Sequence, residues 1–182
     1  MSRAFTLVEV LITMALFVTL MFVIVQLYIV YGRTIVFHQA SLDVTLGGSN
    51  IMDAARMAGS QARSAIATHS FSGISYSSGT TTVIFELPAI DALGDIITNT
   101  YDYIGIYASS SSAYRIIDAA PSSARISGEK RLTDVLDTLS FTYDSPLFPS
   151  VKNIIIDATT SATIRGETTQ TYLRGHIYLR NI

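Results

Sequence analysis

Apolar residues follow three different rules along this chain. Between Val10 and Tyr31 no residue is charged, and only Thr13, Thr19 and Gln26 interrupt the apolar run. A helix over these roughly 22 residues rises about 33 Å, enough to cross a hydrocarbon core. Apolar side chains lie all around it, so it faces lipid or other helices and has no single buried stripe. Arg33 marks the far membrane interface, with Tyr28 and Tyr31 as belt residues. Beyond Arg33 the rule changes. Ile51, Ala54, Ala55, Ala58, Ala62, Ala65 and Ile66 recur at three- and four-residue spacing, with Asp53, Arg56, Gln61 and Arg63 between them. The pattern predicts one long helix from Phe5 to about Ala67, transmembrane over residues 5–32 and amphipathic over residues 33–70. Gly47-Gly48 either bends this helix or divides it into two.

From Phe71 the spacing shortens to that of strands. The predicted strands are Thr81 to Leu87, Tyr101 to Ala108, Tyr114 to Asp118, Ser140 to Asp144, Lys152 to Thr159 and Thr168 to Arg180. Ser77 to Gly79 and Ser109 to Ser112 are turn material, and Pro146 and Pro149 mark a loop. Leu132, Val135, Leu136 and Leu139 sit at i, i+3, i+4 and i+7, which predicts one short helix. Sequential strands joined by short turns favour an antiparallel sheet. The fold class is therefore α+β: a long N-terminal helix packed on a mainly antiparallel sheet domain over residues 71–182. That stretch of roughly 110 residues is long enough for a small core.

The whole chain has 182 residues, which suits one domain plus an anchor, and a net charge of −2. Such a balance does not point to a strong, sequence-independent nucleic-acid surface. With no cysteine, no disulfide or thiolate site is possible. A secretory signal peptide fits poorly, because the apolar stretch is too long and a carboxylate, Glu9, stands at its start.

Glu9 is the most informative residue. A charge at membrane depth costs several kcal/mol by most estimates, so it tends to be kept for a function. The tract Phe5-Thr6-Leu7-Val8-Glu9-Val10-Leu11-Ile12, preceded by the basic leader over residues 1–4, resembles the prepilin signal of the type IV pilin-like family. The resemblance implies a cut between Ala4 and Phe5 by a prepilin peptidase and methylation of the new amine at Phe5. Two positions depart from the family pattern. Ala4 stands where Gly usually precedes the cut, and Gln26 where many major pilins carry a helix-bending Pro. The segment Leu173 to Asn181 resembles the last strand of minor pilins and type II secretion pseudopilins. Leu132 to Tyr143 resembles their helix-to-strand passage.

What the resemblance implies is a pilin-like fold and a structural, non-enzymatic subunit without cofactor. It would assemble into a type IV pilus-like or type II secretion filament, at or near its tip. Its partners would be other pilin or pseudopilin subunits, the prepilin peptidase, an inner-membrane assembly platform and, before assembly, membrane lipid. The expected location is the cytoplasmic membrane, single-pass with a cytoplasmic N-terminus, and then a periplasmic or extracellular filament. Cleavage would create an amine at Phe5, one turn before Glu9. A carboxylate in hydrocarbon needs a partner, and that amine could pair with Glu9 of the same or a neighbouring subunit. Thr6 supplies a further hydroxyl. The plain alternative is that Glu9 snorkels to the headgroups.

Other candidates are weaker. In the last strand Tyr172, Arg174, His176, Tyr178 and Arg180 share one face, a platform for a partner protein or, less readily, a nucleic-acid strand. The alternative is a solvated sheet face. Asp91, Asp95, Asn99 and Asp102 offer oxygen ligands of the kind that hold Ca²⁺, although no calcium-loop spacing is present and capping of helices and turns accounts for them better. Tyr101, Tyr103 and Tyr107 form a stripe that either binds a ligand or packs half-buried. No nucleophile elbow, phosphate-cradling glycine loop or metal-binding histidine spacing occurs. The rivals to the filament subunit are a single-pass anchored extracellular domain that binds a ligand and, remotely, an anchored hydrolase.

Overall fold

The computed structural model describes residues 6–179. The chain forms two compact units, Met1–Ala40 and Ser41–Ile182. Helix α1, Leu7–Gln61, contributes to both. In the first unit its large apolar side chains are exposed on every side; Leu16, Phe17, Val18 and Leu20 are all more than half exposed. This segment is long and apolar enough to cross a membrane, and is compatible with a single-pass anchor. Its hydroxyls bond back to carbonyls of their own helix: Thr19 Oγ1 to Ala15 O at 2.8 Å, and Thr34 Oγ1 to Val30 O at 3.0 Å. Such back-bonding gives the threonine hydroxyls on the apolar surface a partner within the helix.

In the second unit α1 ends at Gln61, six residues short of the expected Ala67. Ser64–Ala65 is strand β1, paired with Glu86 and Phe85. Ala65 joins the main core while Ile66 packs on a different cluster, so the two point to opposite faces as strand residues do. Their apolar character extended the helical spacing by coincidence. Gly47 and Gly48 do not divide the helix.

The remaining strands are β2 (Thr68–Phe71), β3 (Ile74–Ser77), β4 (Thr82–Ile90), β5 (Ile96–Ser109), β6 (Ser112–Asp118), β7 (Gly128–Thr133), β8 (Leu136–Tyr143), β9 (Asn153–Ile164) and β10 (Glu167–Tyr178). They form a five-stranded sheet ordered β1-β4-β5-β6-β7, a three-stranded sheet ordered β10-β9-β8, and the hairpin β2-β3. Every pairing is antiparallel. The β2-β3 and β9-β10 turns, Ser72-Gly73 and Arg165-Gly166, have both residues at positive φ, the geometry that matches strand twist in two-residue hairpins.

The short helix expected at Leu132 to Leu139 is absent; the segment forms the end of β7 and the start of β8. A bulge between Leu136 and Thr138 explains the misreading. It inserts one residue, so Leu136 and Leu139 both turn inward three apart, imitating helical spacing on a strand.

One core joins the two larger sheets to α1. The helix offers Val44, Ile51, Met52, Ala55, Ala58 and Ala62; the sheets offer Val83, Phe85, Ile106, Phe141, Ile156 and Ile177, all buried. Small residues on the helix let the backbone approach the strands. A Cβ on Gly59 would stand 2.0 Å from Ile177 Cγ2, and one on Gly47 2.3 Å from Thr133 Oγ1. A second, smaller cluster of Phe71, Ile84 and Ile116 lies beneath the β2-β3 hairpin on the opposite face of the five-stranded sheet.

Candidate functional site

The helix start is built by Thr6 and Glu9. Thr6 is the residue before the first helical position, and Glu9 is three residues on. The Thr6 N–H and hydroxyl both donate to Glu9 Oε2, at 2.9 and 3.0 Å, while Thr6 Oγ1 accepts from the Glu9 N–H at 3.3 Å. This reciprocal arrangement is a capping box, which satisfies backbone donors that a helix start otherwise leaves open. Oε2 takes both bonds; among the described residues none reaches Oε1, and no cation pairs with the carboxylate. Ala4 and Phe5, the expected cleavage and methylation positions, lie outside the described residues.

The β10 face alternates as the sequence predicts, with Tyr172, Arg174, His176 and Tyr178 outward and Gly175 and Ile177 buried. Antiparallel register sets Arg174 directly against Asp157 on β9. The guanidinium donates to Asp157 through Nε at 2.6 Å and Nη2 at 3.0 Å, and the Tyr172 hydroxyl donates to the same carboxylate. These bonds hold the Asp157 carboxyl below its usual range and push Arg174 up, each favouring its charged form. The platform is thus less basic than its sequence suggests, because Arg174 is neutralised by a carboxylate that the reading of β10 alone does not see. His176 and Tyr178 stack with centroids 6.3 Å apart, and Tyr178 is 68% exposed. Arg180 lies outside the described residues.

The calcium candidates do not converge. Asp91 Oδ1 accepts the backbone N–H groups of Leu93 and Asp95, both at 2.9 Å, so it caps the β4-β5 turn. Asp102 is fully buried in another cluster, where Arg125 Nη1 lies at 2.5 Å, the Ser123 hydroxyl at 2.7 Å and the Ala120 N–H at 2.8 Å. Arg125 also donates to Pro88 O at 2.7 Å and to Gln61 Oε1 at 2.9 Å. Asp102 therefore staples the loop after β6 to the sheet and the helix end. Among the described residues no three His, Asp or Glu side chains are grouped to hold a metal. No spacing pairs Asp102 with Arg125 in the sequence, so this cluster is legible only in the fold.

The tyrosine stripe on β5 is half-buried packing. His69 stacks on Tyr103 at 3.8 Å and meets Asp118 at 2.9 Å, while Tyr107 packs between Tyr76 and Tyr114 and donates to Glu129. Burial and the neighbouring Glu129 push the Tyr107 phenol well above its usual value. The covering hairpin β2-β3, polar in sequence, is an element the spacing did not predict, as are strands β1 and β7.

The chain matches no family model, no curated protein and no solved structure.

Proposed function

We propose that this chain is a minor pilin or pseudopilin, a structural subunit of a type IV pilus-like or type II secretion filament. The observation that carries the reading is the junction of Thr6 and Glu9 with the apolar segment of α1: a single carboxylate, held at the helix start, at the edge of a membrane-length helix. A glycine- and alanine-faced helix half on antiparallel sheets supports it as an architecture. In this reading the leader is cut before Phe5. Glu9 Oε1, left open by the capping box, then accepts the new amine of a neighbouring subunit during assembly. The chain has no catalysis of its own and enters the filament from the membrane, near the tip.

The capping box also favours a second reading, a single-pass anchored extracellular domain that binds a ligand, because it gives Glu9 a local use that needs no filament. Mass analysis of the N-terminal peptide from native membranes, with filament incorporation of Glu9→Leu, separates the two. A methylated Phe5 start and loss of incorporation support the filament subunit. An intact Met1 or Ser2 start, or normal incorporation of Glu9→Leu, sinks it and moves the anchored domain ahead.

A further inference from the structure

Strand β6 directs Ala113, Arg115 and Ile117 toward α1, and Tyr114, Ile116 and Asp118 toward the β2-β3 hairpin. Ala113 is in the core and Ile117 packs against it, so Arg115 stands on an apolar side of the sheet. Charged side chains in such positions are ordinarily paired. Arg115 is half-buried, its Nε is buried, and that Nε has no hydrogen-bond partner. Directly opposite on β7 stands Lys130, a second cation, and like charges facing each other across two strands are destabilising. Among the described residues no ion pair includes Arg115, Lys130 or Asp53. The neighbouring Arg131 is already paired with Asp134 at 3.3 Å.

These groups line one pocket. It has a volume of about 170 Å³ and is closed on the helix side by Asn50, Asp53, Ala54 and Met57. That volume is several times the roughly 30 Å³ share of one liquid water, so it admits an oxyanion with some of its hydration.

We infer that the pocket between α1, β6 and β7 is an oxyanion site, in which Arg115 and Lys130 hold a carboxylate or phosphate group. The ligand supplies an ion-pair partner that neither cation has among the described residues, and Arg115 contributes the planar donor fork that suits either group. Asn50, whose amide donates to Leu132 O at 3.3 Å, and the paired Arg131 also line the pocket. Asp53 is the opposing charge in the lining, and it weakens anion binding. The site is independent of the filament reading.

The test uses the full chain in non-ionic detergent micelles. Thermal unfolding is followed against inorganic phosphate, with sodium chloride adjusted to hold ionic strength constant. The expected result is a saturable rise of about 3 °C when phosphate reaches about ten times its Kd. The rise vanishes in Arg115→Met. That variant also melts higher than the parent chain without phosphate, because an uncompensated charge has left an apolar side. Asp53→Asn binds phosphate more tightly. Lys130 is exposed, so Lys130→Gln keeps the fold, weakens phosphate about tenfold, and carries the test if Arg115→Met does not fold. Acetate as a parallel probe separates the sources of the anion. A saturable response to acetate as strong as to phosphate identifies a carboxylate, the group that an Asp or Glu of a neighbouring protein presents. A response to phosphate alone identifies a phosphorylated small molecule. No saturable rise with either probe, or an equal rise in Lys130→Gln and Arg115→Met, overturns the site and leaves the general salting effect of phosphate.

Discussion

The hydroxyl of Thr160 on β9 donates a 2.7 Å hydrogen bond to the carbonyl oxygen of Val44 on α1, and both residues are fully buried. A strand side chain thus bonds a carbonyl inside the helix ladder. The contact requires a close approach, and Gly48 permits it: a Cβ there would stand 3.4 Å from Thr160 Oγ1 and 2.8 Å from Leu173 Cδ1. Thr160→Val keeps the shape and removes the donor, so it should lower stability by about 1 kcal/mol in denaturant unfolding. A loss under about 0.3 kcal/mol would show that the bond contributes little beyond packing.

Gly59→Ala should destabilise the chain although Ala is the better helix former. Propensity favours Ala by about 1 kcal/mol, but the new methyl meets the β-branched Ile177 at 2.0 Å. Overpacking of this kind costs about 1–3 kcal/mol, so it offsets the gain or exceeds it. Gly32→Ala, where nothing lies within 4 Å, is the control and should be neutral or stabilising. Equal melting shifts for the two would contradict the close-approach account.

Breaking the Asp102–Arg125 pair should be among the most damaging single changes. Asp102 is fully buried and the Arg125 side chain is 14% exposed, so removing one partner strands the other's charge. Arg125→Met should cost about 3–5 kcal/mol. Amide exchange of Ala120 and Ala124, bonded to Asp102 and Ile90, should accelerate with it. Unchanged exchange at those two amides would mean the loop is held by something else.

The Asp157–Arg174 pair makes a small, pH-dependent contribution. Asp157 has a folded pKa below its unfolded value, because Arg174 and Tyr172 bond its charged form. The stability it adds is complete above the unfolded value, about 3.9, and is lost as pH falls through the lower folded value. Arg174 is mostly exposed, so solvent screening keeps the amount small. The stability difference between the parent chain and Asp157→Asn should therefore narrow on acidification; a difference constant down to strongly acidic pH would refute the linkage.

Thr6→Ala should loosen the first turn of α1, at a cost of about 1 kcal/mol, while Thr6→Ser should not, since Ser completes the same capping box. Hydrogen exchange of the first helical amides in micelles reads the difference directly. Identical exchange in both variants would mean that Glu9 does not depend on Thr6.

The periodicity of apolar residues by itself determined the membrane-length helix, its apolar continuation along Ile51, Ala55, Ala58 and Ala62, the six strands β4, β5, β6, β8, β9 and β10, and the in-out alternation of β10. These are local consequences of side-chain spacing, 3.6 residues per turn on a helix and two on a strand, and need no partner to be read. The Thr6–Glu9 box is equally local. Tertiary structure alone decided the rest. The bulge at Leu136 disguised a strand as a helix, and the polar β2-β3 hairpin gained its place from the aromatic layer it covers. Arg174 met Asp157, Asp102 met Arg125, and Arg115 met Lys130 across distances in sequence that no spacing encodes. A charge takes its meaning from its neighbours in space, so pairing or isolation becomes visible only once register and packing are set.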